Sequence, residues 1–170
     1  MISIRVACIE LEVMLLLYTG CTEIAARMIP NAVCLMLATL GITHQMLLAN
    51  PRQFGMSLIA ATCVFLALLF VFTRGWIDGG DVKLLTAVSI GLPADAVMHF
   101  LTITVLAGGV LALVYPLLRL LPYPALSAVG SSLVRRVYAI ERWRTSRHAP
   151  LPYGVAIACG GIWTLAGHGV

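Results

Sequence analysis

Two short stretches hold the residues most able to do chemistry. One is Gly75-Trp76-Ile77-Asp78-Gly79-Gly80-Asp81-Val82-Lys83-Leu84-Leu85-Thr86, with two of the chain's seven acidic residues and its only lysine. The other is Cys21-Thr22-Glu23-Ile24-Ala25-Ala26-Arg27-Met28-Ile29-Pro30-Asn31. Adjacent glycines ahead of Asp81 let backbone approach that carboxylate closely. A carboxylate at the edge of an apolar run is expensive and points to a function. The plain alternative is that Asp81 caps the following helix, a position where aspartate is favoured. Two carboxylates from separate segments that meet at a membrane surface suit an aspartic-type hydrolase. Such a pair cannot easily ionise twice, so it shares a proton. One acid then takes a proton from water while the other donates to the scissile carbonyl, with neither metal nor covalent intermediate. The pair titrates as a unit. A transporter uses paired carboxylates equally well as a proton relay.

The elements that must position these residues are apolar. The chain has 170 residues, of which 61% are hydrophobic and 11% charged, with mean hydropathy +0.99. A soluble domain of this size needs a more polar surface. The composition therefore predicts an all-α integral membrane protein, read as a single membrane-embedded domain over residues 1–170. Six spans are expected, at about 4–20, 31–48, 54–72, 82–97, 99–118 and 153–167. Asn50-Pro51-Arg52 reads as a tight turn, Pro116 as a kink and Gly108-Gly109 as a close helix contact. Pro30 suits a break or a first helical turn. Glu10 and Glu12 interrupt the first span: they either snorkel to water at the outer interface or face a cavity or another helix. A cleaved signal peptide fits this region less well, because the two glutamates break its apolar core.

Residues 122–150 form a basic loop holding Arg135, Arg136, Arg142, Arg144 and Arg147 against Glu141. It is either an ordinary solvated loop or a basic helix on anionic lipid. With the N-terminus outside, the inner side carries these five arginines with Arg27, Arg74, Lys83 and Arg119, and the outer side only Arg5 and Arg52. That asymmetry follows the positive-inside rule and puts Glu23, Asp78 and Asp81 at the cytoplasmic face, in the loops after spans 1 and 3. The net charge of +4 follows this topology and does not suggest nucleic acid. Cys8, Cys21, Cys34, Cys63 and Cys159 include no CxxC pair and read as buried small apolar residues, giving no metal site.

Glu23-x-x-x-Arg27-x-Ile29-Pro30-Asn31 resembles the first motif of the type IV prepilin peptidases. Asp78-Gly79-Gly80-Asp81-Val82-Lys83-Leu84-Leu85 resembles the second, the GxGD motif. Pro152-Tyr153-Gly154-Val155-Ala156-Ile157-Ala158 is similar to the short CpaA/TadV group, which serves Flp-type pili. The resemblance implies a multi-pass aspartic endopeptidase of the bacterial inner membrane. Such enzymes cut the leader from prepilins at the cytoplasmic face, and the pilus assembly machinery and membrane lipid are the further partners implied. By position, Asp81 matches the second catalytic aspartate and Glu23 stands where the first belongs. Arg27, Pro30, Asn31, Gly79, Gly80 and Lys83 match supporting residues.

Two departures stand out. Glutamate occupies the first catalytic position, and Asp78 replaces the first glycine of the second motif. The extra methylene of Glu23 moves its carboxyl by about 1–1.5 Å, a scale at which catalytic geometry is lost unless the pocket is adapted. Asp78 is a second candidate partner for Asp81, ranked below Glu23. The paired CxxC motifs of larger relatives are not present, so no cofactor is expected, zinc included, and no methyl transfer. The alternatives are an inactive homologue that binds pilins during assembly, and a small proton-coupled transporter.

Overall fold

The computed structural model describes residues 2–47, 51–120 and 151–168. Within them lie six helices and no strand: α1 (Ile2–Ala26), α2 (Asn31–Leu47), α3 (Pro51–Thr73), α4 (Gly79–Gly91), α5 (Ala94–Leu120) and α6 (Tyr153–His168). The basic loop expected at 122–150 falls outside the described residues. The chain divides into two compact units, residues 1–107 with 152–170, and 108–151. The described part of the second unit is chiefly the C-terminal half of α5, which contains Pro116. The helix packing and the candidate site below concern the first.

Apolar residues cover most of α4, the exposed Lys83 excepted, and that is why it lies at the centre. Val82, Leu84, Leu85, Ala87, Val88 and Ser89 are all buried. The helix packs most extensively on α2 and α3 and also touches α6, while α1 packs on α6 and α2. Small residues bring the backbones together, as apolar helices without a hydrophobic drive between them require. The closest approach joins α2 to α4: a Cβ at Gly41 would lie 2.6 Å from Gly91 Cα. A Cβ at Gly20 of α1 would meet Ala158 of α6 at 3.7 Å. Gly108-Gly109, expected as a close helix contact, falls in the second unit.

Pro51–Thr73 and Ala94–Leu117 are long and apolar enough to cross a membrane, while Asn31–Leu47 and Tyr153–Gly167 are apolar but shorter. Side chains such as Leu66, Phe70, Val105 and Leu113 are exposed along the two long helices. Surfaces of this kind belong against lipid, and the chain is a membrane protein.

Several boundaries differ from the sequence reading. Helix α1 runs six residues past Gly20, because Thr22 to Ala26 offer no breaker and continue the turn. The break between α4 and α5 falls at Leu92-Pro93 rather than near residue 98, since Pro93 supplies no donor to the ladder. Pro51 opens α3 instead of sitting within a turn; Asn50 lies outside the described residues. Glu12 does not reach water: it is buried, 3% exposed, between α1 and its neighbours, whereas Glu10 is exposed. Of the cysteines, Cys8 and Cys34 are buried as expected but Cys21, Cys63 and Cys159 are exposed.

Candidate active site

The helix ends that hold the two acidic stretches meet at one end of the first unit. Glu23 belongs to the last turn of α1 and Asp81 to the first turn of α4, so both acids sit on helices rather than in the loops expected from sequence. That difference matters for precision, because a side chain on a packed helix is held more tightly than one on a loop.

The end of α1 is an unusual stop. Arg27 adopts φ +55°, the left-handed region that favours glycine, while its amide donates to the Glu23 carbonyl at 3.0 Å. Ile29 and Pro30 then lead into α2, and the Pro30 carbonyl accepts from the Val33 and Cys34 amides at 3.1 and 3.4 Å. Pro30 thus stands just before the helix, where its ring does no harm.

At the head of α4 the N-cap residue is Asp78, not Asp81. Asp78 has extended backbone, and its carbonyl accepts from the Val82 amide at 3.2 Å, but its side chain makes no capping bond. Asp81 is therefore released from the capping role and faces inward, 8% exposed. Gly79 lies under the Phe72 ring and Gly80 against the Ile29 side chain. A Cβ at either would be 3.4–3.5 Å from those neighbours, an ordinary contact. Packing alone does not demand glycine at these two positions.

The two motifs are joined directly. Lys83 Nζ donates to Asn31 Oδ1 at 3.1 Å, tying α4 to the start of α2. Glu23 is 7% exposed and lies beside Asp81, whereas Asp78 is exposed. Asp81 stands ahead of the apolar run that begins at Val82. Burial first, then the charge of Glu23, then that of Asp78, pushes its carboxyl from an ordinary 3.8 up to about 7. Near neutral pH Asp81 is therefore poised between its protonated and ionised forms, as general acid–base work requires.

The structure brings together Glu23, Asp81, Ile29, Asn31, Gly80 and Lys83. Asp78 stays on the rim. A residue to which the sequence reading gave no role also belongs here: Gly154 of α6, whose Cβ would meet Glu23 Oε2 at 3.2 Å. Its only signal was membership of the Pro152-Tyr153-Gly154 stretch. Among the described residues no group of three or more His, Cys, Asp or Glu gathers as a metal site.

A family model described as the type IV leader peptidase family matches residues 11–113, more than half of the chain and the part that contains both acidic motifs. No curated protein and no solved structure matches the chain.

Proposed function

The chain belongs to the type IV leader peptidase family, and from that premise we propose that it is an aspartic endopeptidase using Glu23 and Asp81 on the leader of an Flp-type prepilin. Cleavage takes place at the cytoplasmic face of the bacterial inner membrane, which the chain crosses several times. The observation that carries this reading is the burial of two acids from separate helices within each other's field.

The proton balance is simple. The ionised member of the pair takes a proton from water as the water oxygen bonds to the scissile carbonyl carbon. The protonated member gives its proton to the carbonyl oxygen, forming a neutral tetrahedral intermediate. Collapse re-forms the carbonyl, breaks the C–N bond and passes a proton to the leaving amine. Because the two acids share a field, neither role is assigned to one residue alone. Lys83 and Asn31 hold the two helix ends in register, and Arg27 turns the chain immediately after Glu23.

Glu23 is favoured over Asp78 as the partner because it is buried beside Asp81, while Asp78 is exposed at the helix cap. The test is cleavage of a purified Flp-type prepilin in detergent, read by product mass. The expected result is loss of a leader-sized fragment by the wild type, abolished in Asp81→Ala and Glu23→Ala and kept in Glu23→Asp. Asp78→Gly is expected to cleave. Cleavage that survives Glu23→Ala but not Asp78→Gly would transfer the partner role to Asp78. No cleavage by the wild type, with a related peptidase cutting the same substrate, would leave the chain as a pilin-binding homologue.

A further inference from the structure

Four segments enclose the acidic pair: the end of α1, the connection to α2, the head of α4 and the first turn of α6. The last lies beyond the matched residues 11–113. In α6, Gly154 approaches Glu23 so closely that a Cβ there would be 3.2 Å from Cγ, 3.2 Å from Oε2 and 3.3 Å from Cδ. To accept it, the side chain would have to give by a few tenths of an ångström. Glu23 is 7% exposed, so it has little free space to move into. Gly154 does not have positive φ, so its backbone makes no use of glycine's conformational freedom. A glycine in a helix costs about 1 kcal/mol relative to alanine. What the position gains in return is room, and the atoms occupying that room belong to Glu23. Cδ and Oε2 are also the atoms that carry a glutamate carboxyl one methylene beyond the reach of aspartate.

We propose that Gly154 is a positioning residue of the active site, and that the space it leaves is what lets a glutamate serve at position 23 opposite Asp81. The inference rests on the peptidase reading and adds a residue to it. Gly154 acts through Glu23. Among the described residues, the titratable groups at this end are Glu23 of α1, Arg27 just after it, Cys34 of α2, Asp78 ahead of α4, Lys83 on α4 and Tyr153 on α6. Of these, Glu23 and Asp78 push the Asp81 carboxyl up. A methyl group at position 154 repositions one of those two charges and so changes the field at Asp81.

The experiment compares Gly154→Ala in the wild type and in Glu23→Asp, measuring kcat, KM, Tm and the pH–rate profile on a purified Flp-type prepilin. Gly167→Ala, on the same helix but with nothing within 4 Å of the added carbon, is the control. A displacement of a few tenths of an ångström is expected to lower kcat roughly 3- to 10-fold, since about 1 Å costs on the order of 100-fold. KM stays within about twofold, Tm within about 2 °C, and the upper limb of the profile moves. The loss is smaller in Glu23→Asp, where the carboxyl is drawn back and nothing takes the place of Oε2, so the double-mutant cycle shows coupling.

An unchanged kcat and profile would overturn the proposal. So would an equal loss in both backgrounds, or a loss that tracks a fall in Tm while the limb stays in place. Failure of the peptidase reading looks different: the wild type does not cleave, or Asp81→Ala cleaves as well as the wild type. In that case the pH dependence of the Tm difference between wild type and Asp81→Asn still reports the field at Asp81. If Gly154→Ala leaves that difference unchanged, Gly154 does not position Glu23.

Discussion

Asp81→Asn is expected to stabilise the protein at neutral and alkaline pH while abolishing its chemistry. The native carboxyl is pushed from an ordinary 3.8 up to about 7 by burial and by the charges of Glu23 and Asp78. A raised carboxyl pKa weakens the fold as pH rises, because the unfolded chain ionises first. Below about pH 3.8 both states are protonated and the penalty is absent. It grows through the interval between the two values and levels off above about 7. One pKa unit is 1.36 kcal/mol, so the upper limit of the penalty is about 4 kcal/mol above pH 7 and about 2 kcal/mol near pH 5. Asparagine keeps the shape and never ionises, so the penalty disappears. For a chain of this length 1 kcal/mol corresponds to roughly 2–4 °C. Thermal unfolding in detergent, followed by tryptophan fluorescence, should put the variant on the order of 10 °C above the wild type at pH 8. The gap should close to within about 1 °C at pH 3.5. A gap that is the same at both pH values, or a variant less stable at pH 8, would refute the argument that burial and neighbouring acids strain this carboxyl.

The remaining predictions concern packing and access. Gly41→Ala places a Cβ 2.6 Å from Gly91 Cα and 2.8 Å from its amide nitrogen, where backbone cannot yield cheaply; a loss of roughly 1–3 kcal/mol is expected, visible as a Tm several degrees lower. Glu12 Oε1 is buried with no hydrogen-bond partner and lines a cavity with Leu16, Leu37 and Val88. Glu12→Met should therefore raise Tm, by roughly 1–3 kcal/mol in stability, with cleavage unchanged; a fall in Tm would show that the carboxyl holds the helices together. Gly80→Ala adds an ordinary contact with Ile29 in a helical first turn, so Tm should hold or rise. If cleavage is lost at the same time, the missing side chain at Gly80 serves substrate approach, and unchanged kcat and KM would show that it does not.

The sequence by itself determined the class of protein and marked out the acids proposed to act. Its apolar composition excludes a soluble domain, because that is a property of the whole chain and needs no contacts. Glu23, Pro30, Asn31, Asp81 and Lys83 were legible because each stands out locally against an apolar background. The tertiary structure decided the rest. Thr22 to Ala26 permit α1 to run past Gly20, but which side of its last turn Glu23 occupies depends on what that end packs against. Asp78 rather than Asp81 takes the cap position, which turns Asp81 inward. The burial of Glu12 and the facing of Gly154 onto Glu23 depend on the rotation of each helix and on where distant helices cross. Composition and spacing along one helix contain neither quantity. Glu23 and Gly154 are neighbours only because α1 and α6 pack side by side, and that contact joins the two ends of the chain.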